Sequence, residues 1–196
     1  HPHGHHLDKK PLEPFYNLRR RSYTLVPAPS AGIIRSIGGD AVEMRAPAPA
    51  QFGEPFSLAG VSIYPLPCAH TELHTDSAGD YCELSYLIEY DGRKIFFGGD
   101  MSIYDGLVEA LVDVKPDVML LPVNGRDWFR TSRNIIGNLD SNEAAELSVI
   151  CGAKLFIPGH HDLYSKNGCP NDWIEYSARK FGAPLKLLAP GESVEL

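Results

Sequence analysis

Histidines and one aspartate occur at four separate places where the chain shows strand ends or glycine-rich turns. They lie in His1–His6 (HPHGHH), at His70 after Pro-Cys-Ala, at Asp100 after Gly-Gly, and at His160 after Pro-Gly. Imidazole and carboxylate groups are typical ligands of transition metals, and a catalytic site gathers them from several loops. The order and spacing predict a two-metal site of the hydrolytic type at the edge of a β-sandwich.

The spacing also predicts which residue serves which ion. His1 and His3 are two residues apart, so an extended turn lets both rings face one ion, and His6 can serve a second ion. Asp100 has two carboxylate oxygens and is predicted to bridge the ions. His160 completes the ligands of the second ion, and Asp100 and His160 are the predicted catalytic residues.

Each part of this pattern also has an ordinary explanation. A single histidine after a strand is usually not a ligand, and Gly-Gly-Asp is a common turn. The segment His1–His6 also resembles a remnant of an expression tag, although Pro2 and Gly4 interrupt it. His74 is a rival to His70.

Composition limits the classes of protein to consider. The chain has 196 residues, 43% hydrophobic and 22% charged, which fits a single domain or most of a larger one with a real core. A net charge of −7 argues against nucleic-acid and membrane-surface binding. No apolar run is long enough to span a bilayer. The four cysteines form no CxxC pair, so we expect free thiols and a cytoplasmic protein.

The chain is predicted to be irregular up to about Gln51, apart from one short strand and one short helix, and an α/β layered fold follows. Asp91-Gly92 predicts a hairpin turn, and Asp140 with Glu143 predicts a capped helix that ends near Ile150. The predicted strands are 22–26, 61–66, 83–90, 93–98, 118–121, 154–157 and 185–188. The predicted helices are 31–37, 107–112, 141–150 and 173–181, with a long polar loop at 124–139.

Several motifs together resemble a known superfamily. They are Leu84–Ile88 (LSYLI), Phe97–Asp100 (FGGD), Leu121–Asp127 (LPVNGRD), Arg133–Asn138 (RNIIGN), Asn142–Leu147 (NEAAEL) and Ile157–Tyr164 (IPGHHDLY). With the ligand pattern, they resemble the metallo-β-lactamase superfamily, whose motif is HxHxDH followed by a histidine, a bridging aspartate and a last histidine. Within it, the chain looks most similar to the L-ascorbate-6-phosphate lactonase family.

The resemblance implies an αββα sandwich over residues 1–196. It implies His1, His3 and His70 on one metal, with His6 and His160 on the other and Asp100 between them. His5 stands where the motif has aspartate, so it is kept as a metal ligand that lacks the negative charge. Single-metal occupancy therefore becomes an alternative, and the cofactor is one or two divalent ions of zinc, manganese or iron.

Two positions in this assignment are less regular. His161 beside His160 leaves the final ligand ambiguous, and His160 is preferred because the family places the ligand directly after Pro-x. Family members also carry strands before the first metal motif. We therefore expect this chain to be the later portion of the full fold, without those N-terminal strands.

The loop from Asn124 to Asn138 is predicted to bind substrate. Its arginines suit bidentate contact with phosphate, and its asparagines suit sugar hydroxyls. The residues assigned to substrate are Asn124, Arg126, Arg130, Arg133, Asn134 and Asn138. An alternative is that Arg126 and Asp127 form a structural ion pair.

The preferred function is opening of a phosphorylated sugar lactone, such as L-ascorbate 6-phosphate, by attack of metal-bound hydroxide. The resemblance supplies this substrate, whereas the residues supply only metal-dependent hydrolysis and a cationic loop. The alternatives are a phosphodiesterase or phospholipase of the same fold, and a non-catalytic metal-binding protein. The expected partner is a small phosphorylated molecule, with no nucleic acid and no membrane, and a homo-oligomer is left open.

Overall fold

The fold is that of a computed structural model, which describes residues 7–18, 22–162, 164 and 166–196. The predicted ligands His1, His3, His5 and His6 lie outside the described residues. In the part of the chain that is described, no helix is long and apolar enough to cross a membrane. All four cysteines are free thiols, as predicted.

The described residues form α/β layers with strands and helices alternating in the second half. The strands are β1 (Tyr23–Pro27), β2 (Asp40–Met44), β3 (Phe56–Leu58), β4 (Val61–Pro67), β5 (Leu84–Tyr90), β6 (Arg93–Phe97), β7 (Val118–Pro122) and β8 (Leu155–Gly159). The α-helices are α1 (Lys9–Asn17), α2 (Ala31–Ser36), α3 (Leu107–Val114), α4 (Trp128–Thr131), α5 (Ser141–Ile150) and α6 (Asn171–Phe181), and a 3-10 helix spans Ala28–Ser30.

Strands β3 to β8 make one six-stranded sheet whose spatial order follows the sequence. Strands β3 to β6 pair antiparallel, whereas β6, β7 and β8 pair parallel. The parallel pairs need crossover connections, and α3 and α5 supply them. The carboxyl ends of β6, β7 and β8 therefore meet at one edge of the sheet, and the residues after them are brought together.

One face of this sheet carries the main core. Leu87, Phe96, Met119 and Phe156 are cross-strand neighbours in one row, and all are buried. Residues of α3, α5 and α6 join the same hydrophobic cluster. The row on the opposite face is Tyr86, Phe97, Leu120 and Ile157, which is apolar but only partly buried. Strands that are apolar on both faces are typical of sheets inside layered α/β folds.

A smaller unit precedes the large sheet. Strands β1 and β2 pair parallel around α2, and a second cluster that includes Tyr16 and Ile34 packs there. The Tyr16 hydroxyl and the Thr24 hydroxyl lie 2.6 Å apart, which ties α1 to β1. The rings of Tyr23 and Phe56 are 5.5 Å apart, so the small sheet contacts the edge strand of the large one.

Most predicted elements are confirmed, with ends that differ by one or two residues. The Asp91-Gly92 hairpin joins β5 to β6, and both residues have positive φ (49° and 72°), as a two-residue hairpin turn requires. The capped helix at Asp140 forms with both predicted bonds. Gly152 follows it with a φ of 70°, as a stop residue does.

Three expectations about secondary structure are wrong. The region before Gln51 is more regular than predicted, because Asp8 caps α1 through the Lys10 N–H and because β2 pairs with β1. The 124–139 loop contains the short helix α4. The predicted strand 185–188 is a single bridge from Leu185 to Phe156. Its alternating leucines reflect side chains packed on the main core and not a ladder of hydrogen bonds.

The Asp140 cap offers a test of this local structure. The Asp140 carboxylate accepts from the Asn142 and Glu143 N–H groups at 2.8 and 2.9 Å, and Glu143 accepts from the Asp140 N–H at 3.0 Å. We expect Asp140→Ala to lower the free energy of unfolding by about 1 kcal/mol, the usual cost of losing an N-cap. Urea denaturation measures this, and Asp113→Ala on the exposed side of α3 is the control. Equal effects of the two variants would contradict the capping role.

Candidate metal centre

Asp100 and His160 meet at the carboxyl edge of the large sheet. Asp100 follows β6 after two glycines, and His160 directly follows β8. The His160 Nε2 atom lies 2.9 Å from Asp100 Oδ1. Asp100 is only 3% exposed, whereas a quarter of the His160 side chain reaches solvent. The edge therefore presents a carboxylate and an imidazole side by side, with access from solvent on the histidine side.

His160 reaches this position through an unusual backbone conformation. Its φ is 58°, in the left-handed region that residues other than glycine rarely adopt. Such conformations cost energy and concentrate at functional sites. The left-handed backbone of His160 therefore lowers the stability of the fold somewhat, and it turns the imidazole ring toward Asp100.

The turn that carries Asp100 is fixed by hydrogen bonds from three directions. The Ser85 hydroxyl donates to the Gly98 carbonyl at 2.7 Å, and the Cys68 thiol donates to the Asp100 carbonyl at 3.2 Å. The Leu139 N–H donates to the Met101 carbonyl at 2.9 Å. Gly98 is needed because a Cβ there would lie 2.5 Å from the Met101 sulfur. The aspartate is thus held by its surroundings before any ligand binds.

His70 lies on the loop that is joined to this turn. The N–H and the hydroxyl of Ser102 both donate to the Ala69 carbonyl, at 2.6 and 3.0 Å, so the segments after β4 and after Asp100 are held together. His70 itself is 6% exposed. His70 and Ser102 line one cavity of about 330 Å³.

The two rival histidines have other surroundings. His74 is half-exposed and lies 3.6 Å from both Glu72 and Glu83, in an ion-pair arrangement. The His161 carbonyl accepts from the Cys169 N–H at 2.8 Å, while the neighbouring ring at His160 contacts Asp100. The geometry thus favours His160 over His161 as a partner of Asp100.

The described residues do not by themselves form a metal site. Among them, no three His, Cys, Asp or Glu side chains are grouped closely enough to hold a metal ion. The Asp100–His160 pair fits a divalent transition metal by donor chemistry. Two ligand atoms about 2.1 Å from one tetrahedral zinc lie roughly 3.4 Å apart. The two atoms lie 2.9 Å apart here, so they would separate by roughly 0.5 Å to share one ion. A complete centre needs further ligands, which the sequence predicts at His70 and in His1–His6.

The asparagines predicted to contact substrate take a different position. Asn124 and Asn138 are 3% and 2% exposed. The Asn138 Nδ2 donates to Asn124 Oδ1 at 2.9 Å and to Asp100 Oδ1 at 3.3 Å. Both side chains are buried and take part in the network around Asp100, and their assignment to substrate stays a prediction. Asn134 differs, since it lines the cavity that contains His70.

The three arginines of the loop are engaged in different ways. Arg126 pairs with Glu143 through both terminal nitrogens and also donates to the Asn138 carbonyl at 2.9 Å. Arg130 pairs with Asp127 at 3.1 Å and donates to the Gly168 carbonyl at 3.0 Å. The alternative of an Arg126–Asp127 pair is therefore wrong, because Glu143 at the start of α5 lies closer to Arg126 and Asp127 caps α4.

Arg133 is the most available of these cations. It is exposed, donates to the Phe129 carbonyl at 3.3 Å, and lies 5.9 Å from the centre of the Phe129 ring. Among the described residues it has no carboxylate partner. Arg126 lines the cavity, and its hydrogen bond to Glu143 raises its pKa further above the ordinary value. The guanidinium of Arg126 therefore lies at the cavity wall, and that of Arg133 lies on the surface.

Sequence reasoning missed three residues of this region. They are Ser102, which joins the His70 loop to the Asp100 turn, Glu143, which pairs with Arg126, and Asn167, which accepts from Asn124 Nδ2 at 3.2 Å. Glu143 was identified only as a capping residue. Nothing in the sequence marks Ser102 or Asn167 beyond a turn-like Asn-Gly dipeptide at 167–168, because their roles depend on contacts between distant segments.

The family of the chain follows from comparison with known proteins. A family model described as a beta-lactamase superfamily domain matches residues 1–161. The chain belongs to this superfamily. A curated relative from Methanoregula boonei, named UPF0173 metal-dependent hydrolase, is 26% identical over 148 residues, which cover 74% of this chain and 62% of the relative.

Two solved structures share the fold. Igni18, titled a novel metallo hydrolase from Ignicoccus hospitalis, matches with a TM-score of 0.71 and 17% identity, over 99% of this chain and 76% of its own. YhfI from Bacillus subtilis, titled a metallo-beta-lactamase fold protein, matches with a TM-score of 0.66 and 16% identity, over 96% and 72%. The predicted fold class is confirmed: the chain has a metallo-β-lactamase fold.

The match to relatives is partial in length. The chain spans about 60% of the length of the curated relatives that it matches. Superfamily and fold are therefore properties of this chain, while the activity and substrate of the whole protein are matters for proposal.

The cysteine closest to Asp100 should be chemically inert. Burial raises the pKa of the Cys68 thiol to about 12 from an ordinary value of 9.0, and the nearby Glu83 and Asp100 carboxylates add to the shift. At pH 8 the thiolate is then about 1,000-fold scarcer than that of an ordinary thiol. We expect iodoacetamide to label the partly exposed Cys82 well before Cys68, as peptide mass spectrometry would show. In denaturant all four cysteines should react, and rapid labelling of Cys68 in the folded protein would contradict its buried environment.

Proposed function

We propose that the chain forms the active site of a metal-dependent hydrolase. The observation that carries this proposal is the contact of 2.9 Å between Asp100 Oδ1 and His160 Nε2 at the carboxyl edge of the sheet. The left-handed backbone of His160 and the burial of Asp100 support it, because strained residues and buried charged groups cluster at functional sites. The names of the curated relatives agree with the same activity.

The proposed ligand set extends this pair. In this proposal His1, His3 and His70 would hold one divalent ion, and His6 and His160 would hold a second. Asp100 and His5 would be further ligands. Zinc, manganese and iron all suit imidazole and carboxylate donors. When bound, such ions lower the pKa of water into the physiological range and polarise the bond under attack.

The chain's own residues hold this chemistry in place. Asp100 and His160 are positioned by the ends of β6 and β8, which are rigid parts of the sheet. Ser102 keeps the His70 loop against the Asp100 turn. Because both groups lie within three residues of strand ends that pair with β7, little reorganisation is needed when substrate binds.

The proposed substrate is a phosphorylated sugar lactone such as L-ascorbate 6-phosphate. Asp100 and His160 line a cavity of about 180 Å³. A second cavity of about 330 Å³ is lined by His70 together with Arg126, Asn134, Ser102 and Thr131, and we assign the bulk of the small substrate to it. Arg126 lines the cavity while paired with Glu143, and Arg133 supplies a cation on the same loop that has no carboxylate partner among the described residues. A guanidinium binds phosphate oxygens well, so the loop supports an anionic substrate.

A phosphodiester or phospholipid substrate of the same fold is the second candidate. The observation that favours it is the exposed apolar surface of the loop, where Trp128 and Phe129 are 74% and 63% exposed and Ile136 lines the cavity. Both aromatic side chains lie outside the buried core of the described residues. An exposed aromatic pair beside a cavity suits a substrate with an apolar part.

Metal removal tests the proposed activity. We expect the purified protein to contain divalent metal, and treatment with EDTA to abolish hydrolysis until zinc, manganese or iron is restored. Asp100→Ala should lower kcat/KM by at least about 1,000-fold, because it removes the bridging carboxylate. Lactone opening is measured by proton release and phosphodiester cleavage by a new phosphate monoester. Metal uptake without either product would indicate a non-catalytic metal-binding protein, and absence of metal would refute the proposal.

Arg133 tests the phosphate assignment. We expect Arg133→Ala to raise KM for a phosphorylated lactone by about tenfold while kcat and the unfolding temperature stay unchanged, because the side chain has few contacts to lose. Arg179→Ala on the exposed face of α6 is the matched control. An equal change in KM for an unphosphorylated lactone would contradict a contact with phosphate.

A further inference from the structure

Three side-chain amides, two of them buried, form a hydrogen-bonded chain that ends at the Asp100 carboxylate. The Asn124 Nδ2 donates to Asn167 Oδ1 at 3.2 Å, and Asn124 Oδ1 accepts from Asn138 Nδ2 at 2.9 Å. The same Asn138 Nδ2 donates to Asp100 Oδ1 at 3.3 Å. The carboxylate oxygen that contacts His160 therefore also accepts the last hydrogen bond in a row of three asparagines.

The orientation of the Asn138 amide is fixed by its neighbours. Both protons of Nδ2 face acceptor oxygens, one on Asp100 and one on Asn124. In the opposite amide orientation, Asn138 Oδ1 would face those two oxygens, and two hydrogen bonds would become repulsive contacts. The Asn138 amide therefore presents its N–H donor to Asp100, because the hydrogen bond to Asn124 Oδ1 holds it in this orientation.

This arrangement leaves the other end of the Asn138 amide unsatisfied. Asn138 Oδ1 is buried and has no hydrogen-bond partner among the described residues. Buried acceptors without partners are rare, and leaving one destabilises a protein. The amide nevertheless keeps both N–H donors on the oxygens of Asp100 and Asn124. This indicates that these two hydrogen bonds stabilise the site more than a partner for Oδ1 would.

The backbone holds both asparagines in register. Asn124 follows β7 and forms a bridge with Asp140, and the Gly125 N–H donates to the Leu139 carbonyl at 2.9 Å. The Asn138 N–H donates to the Gly125 carbonyl at 3.3 Å. The two ends of the 124–139 loop are therefore paired with each other, and the pairing sets Asn138 beside Asp100.

The loop also separates this network from the cavity. Gly137 and Asn134 line the cavity next to His70, whereas Asn124 and Asn138 are buried behind it. A Cβ on Gly137 would lie 2.3 Å from the Gly125 carbonyl oxygen, so the chain can pass there only without a side chain. A substrate bound in this cavity would therefore contact residues in the middle of the 124–139 loop. The amides that reach Asp100 come from the two ends of the same loop.

From these contacts we propose that Asn138 is a positioning residue that orients the Asp100 carboxylate for metal binding, and that Asn124 acts on Asp100 only through Asn138. The inference rests on the proposed metal-dependent function. Partners that hydrogen-bond to metal ligands fix the ligand's orientation, and their loss commonly weakens metal binding by 10- to 100-fold. The role differs from substrate binding, which would change KM and leave metal affinity unaltered.

The experiment compares Asn138→Ala, Asn124→Ala and the double variant with the wild-type protein. Zinc affinity is measured by competition with a chromophoric chelator, and kcat and KM are measured for the lactone. We expect Asn138→Ala to weaken zinc binding by about 10- to 100-fold and to lower kcat, with KM within about threefold. Asn124→Ala should act in the same direction but less, and the double variant should resemble Asn138→Ala, since Asn124 reaches Asp100 through Asn138.

Controls separate this role from general damage to the fold. Asn171→Ala, an exposed position at the start of α6, should leave zinc affinity unchanged, and the metal-free unfolding temperature is recorded for every variant. If Asn138→Ala unfolds, Asn124→Ala still tests the row of three asparagines, because it leaves Asn138 and Asp100 in place.

Three outcomes overturn the proposal in distinguishable ways. Unchanged zinc affinity with a raised KM in Asn138→Ala would mean that the amide contacts substrate. Losses in zinc affinity that add in the double variant would mean that the two asparagines act independently. If the wild-type protein binds no zinc, manganese or iron, the proposed function fails and the positioning role fails with it.

Discussion

The burial of one carboxylate, that of Asp100, constrains the whole carboxyl edge of the sheet. A carboxylate removed from water is strongly destabilising unless hydrogen bonds or opposite charge replace the lost hydration. Here the Asn138 amide and the His160 ring contact its Oδ1 atom, and the Cys68 thiol and Leu139 N–H anchor the turn that carries it. The segments after β4 and β8 and the 124–139 loop all supply contacts that replace the lost hydration of Asp100 or hold its turn in place.

The parallel half of the sheet makes this concentration of contacts possible. Because β6, β7 and β8 run in the same direction, the residues that follow them leave the sheet on one side. Asp100, Asn124 and His160 are those residues, and they follow three parallel strands that the two crossovers through α3 and α5 connect. The antiparallel half contributes differently, since β4 brings the Ala69–His70 segment to the same turn through Ser102. The parallel and the antiparallel strands therefore bring their polar residues to the same edge of the sheet.

The 124–139 loop combines two functions that the sequence alone did not separate. Its ends pair with each other and place amides behind Asp100, while its middle lines the cavity and exposes aromatic side chains. Its arginines also differ: Arg126 and Arg130 pair with carboxylates, whereas Arg133 has no carboxylate partner in the part of the chain that is described. Six polar residues in one loop therefore do not have one role. Burial decides which of them face the carboxylate and which face the cavity.

Local patterns in the sequence determined much of the fold. The Asp91-Gly92 turn, the Asp140 cap and the apolar run of β7 each follow from nearby residues, so the hairpin, α5 and the central strand were predicted correctly, and the motifs were enough to indicate the superfamily. The pairing of Asn138 with Asp100 and of Arg126 with Glu143 emerged only in the tertiary structure, as did the single bridge at Leu185. Hydrogen bonds between segments far apart in the sequence leave no periodic pattern, because their partners depend on how strands align and on which side chains lose contact with water.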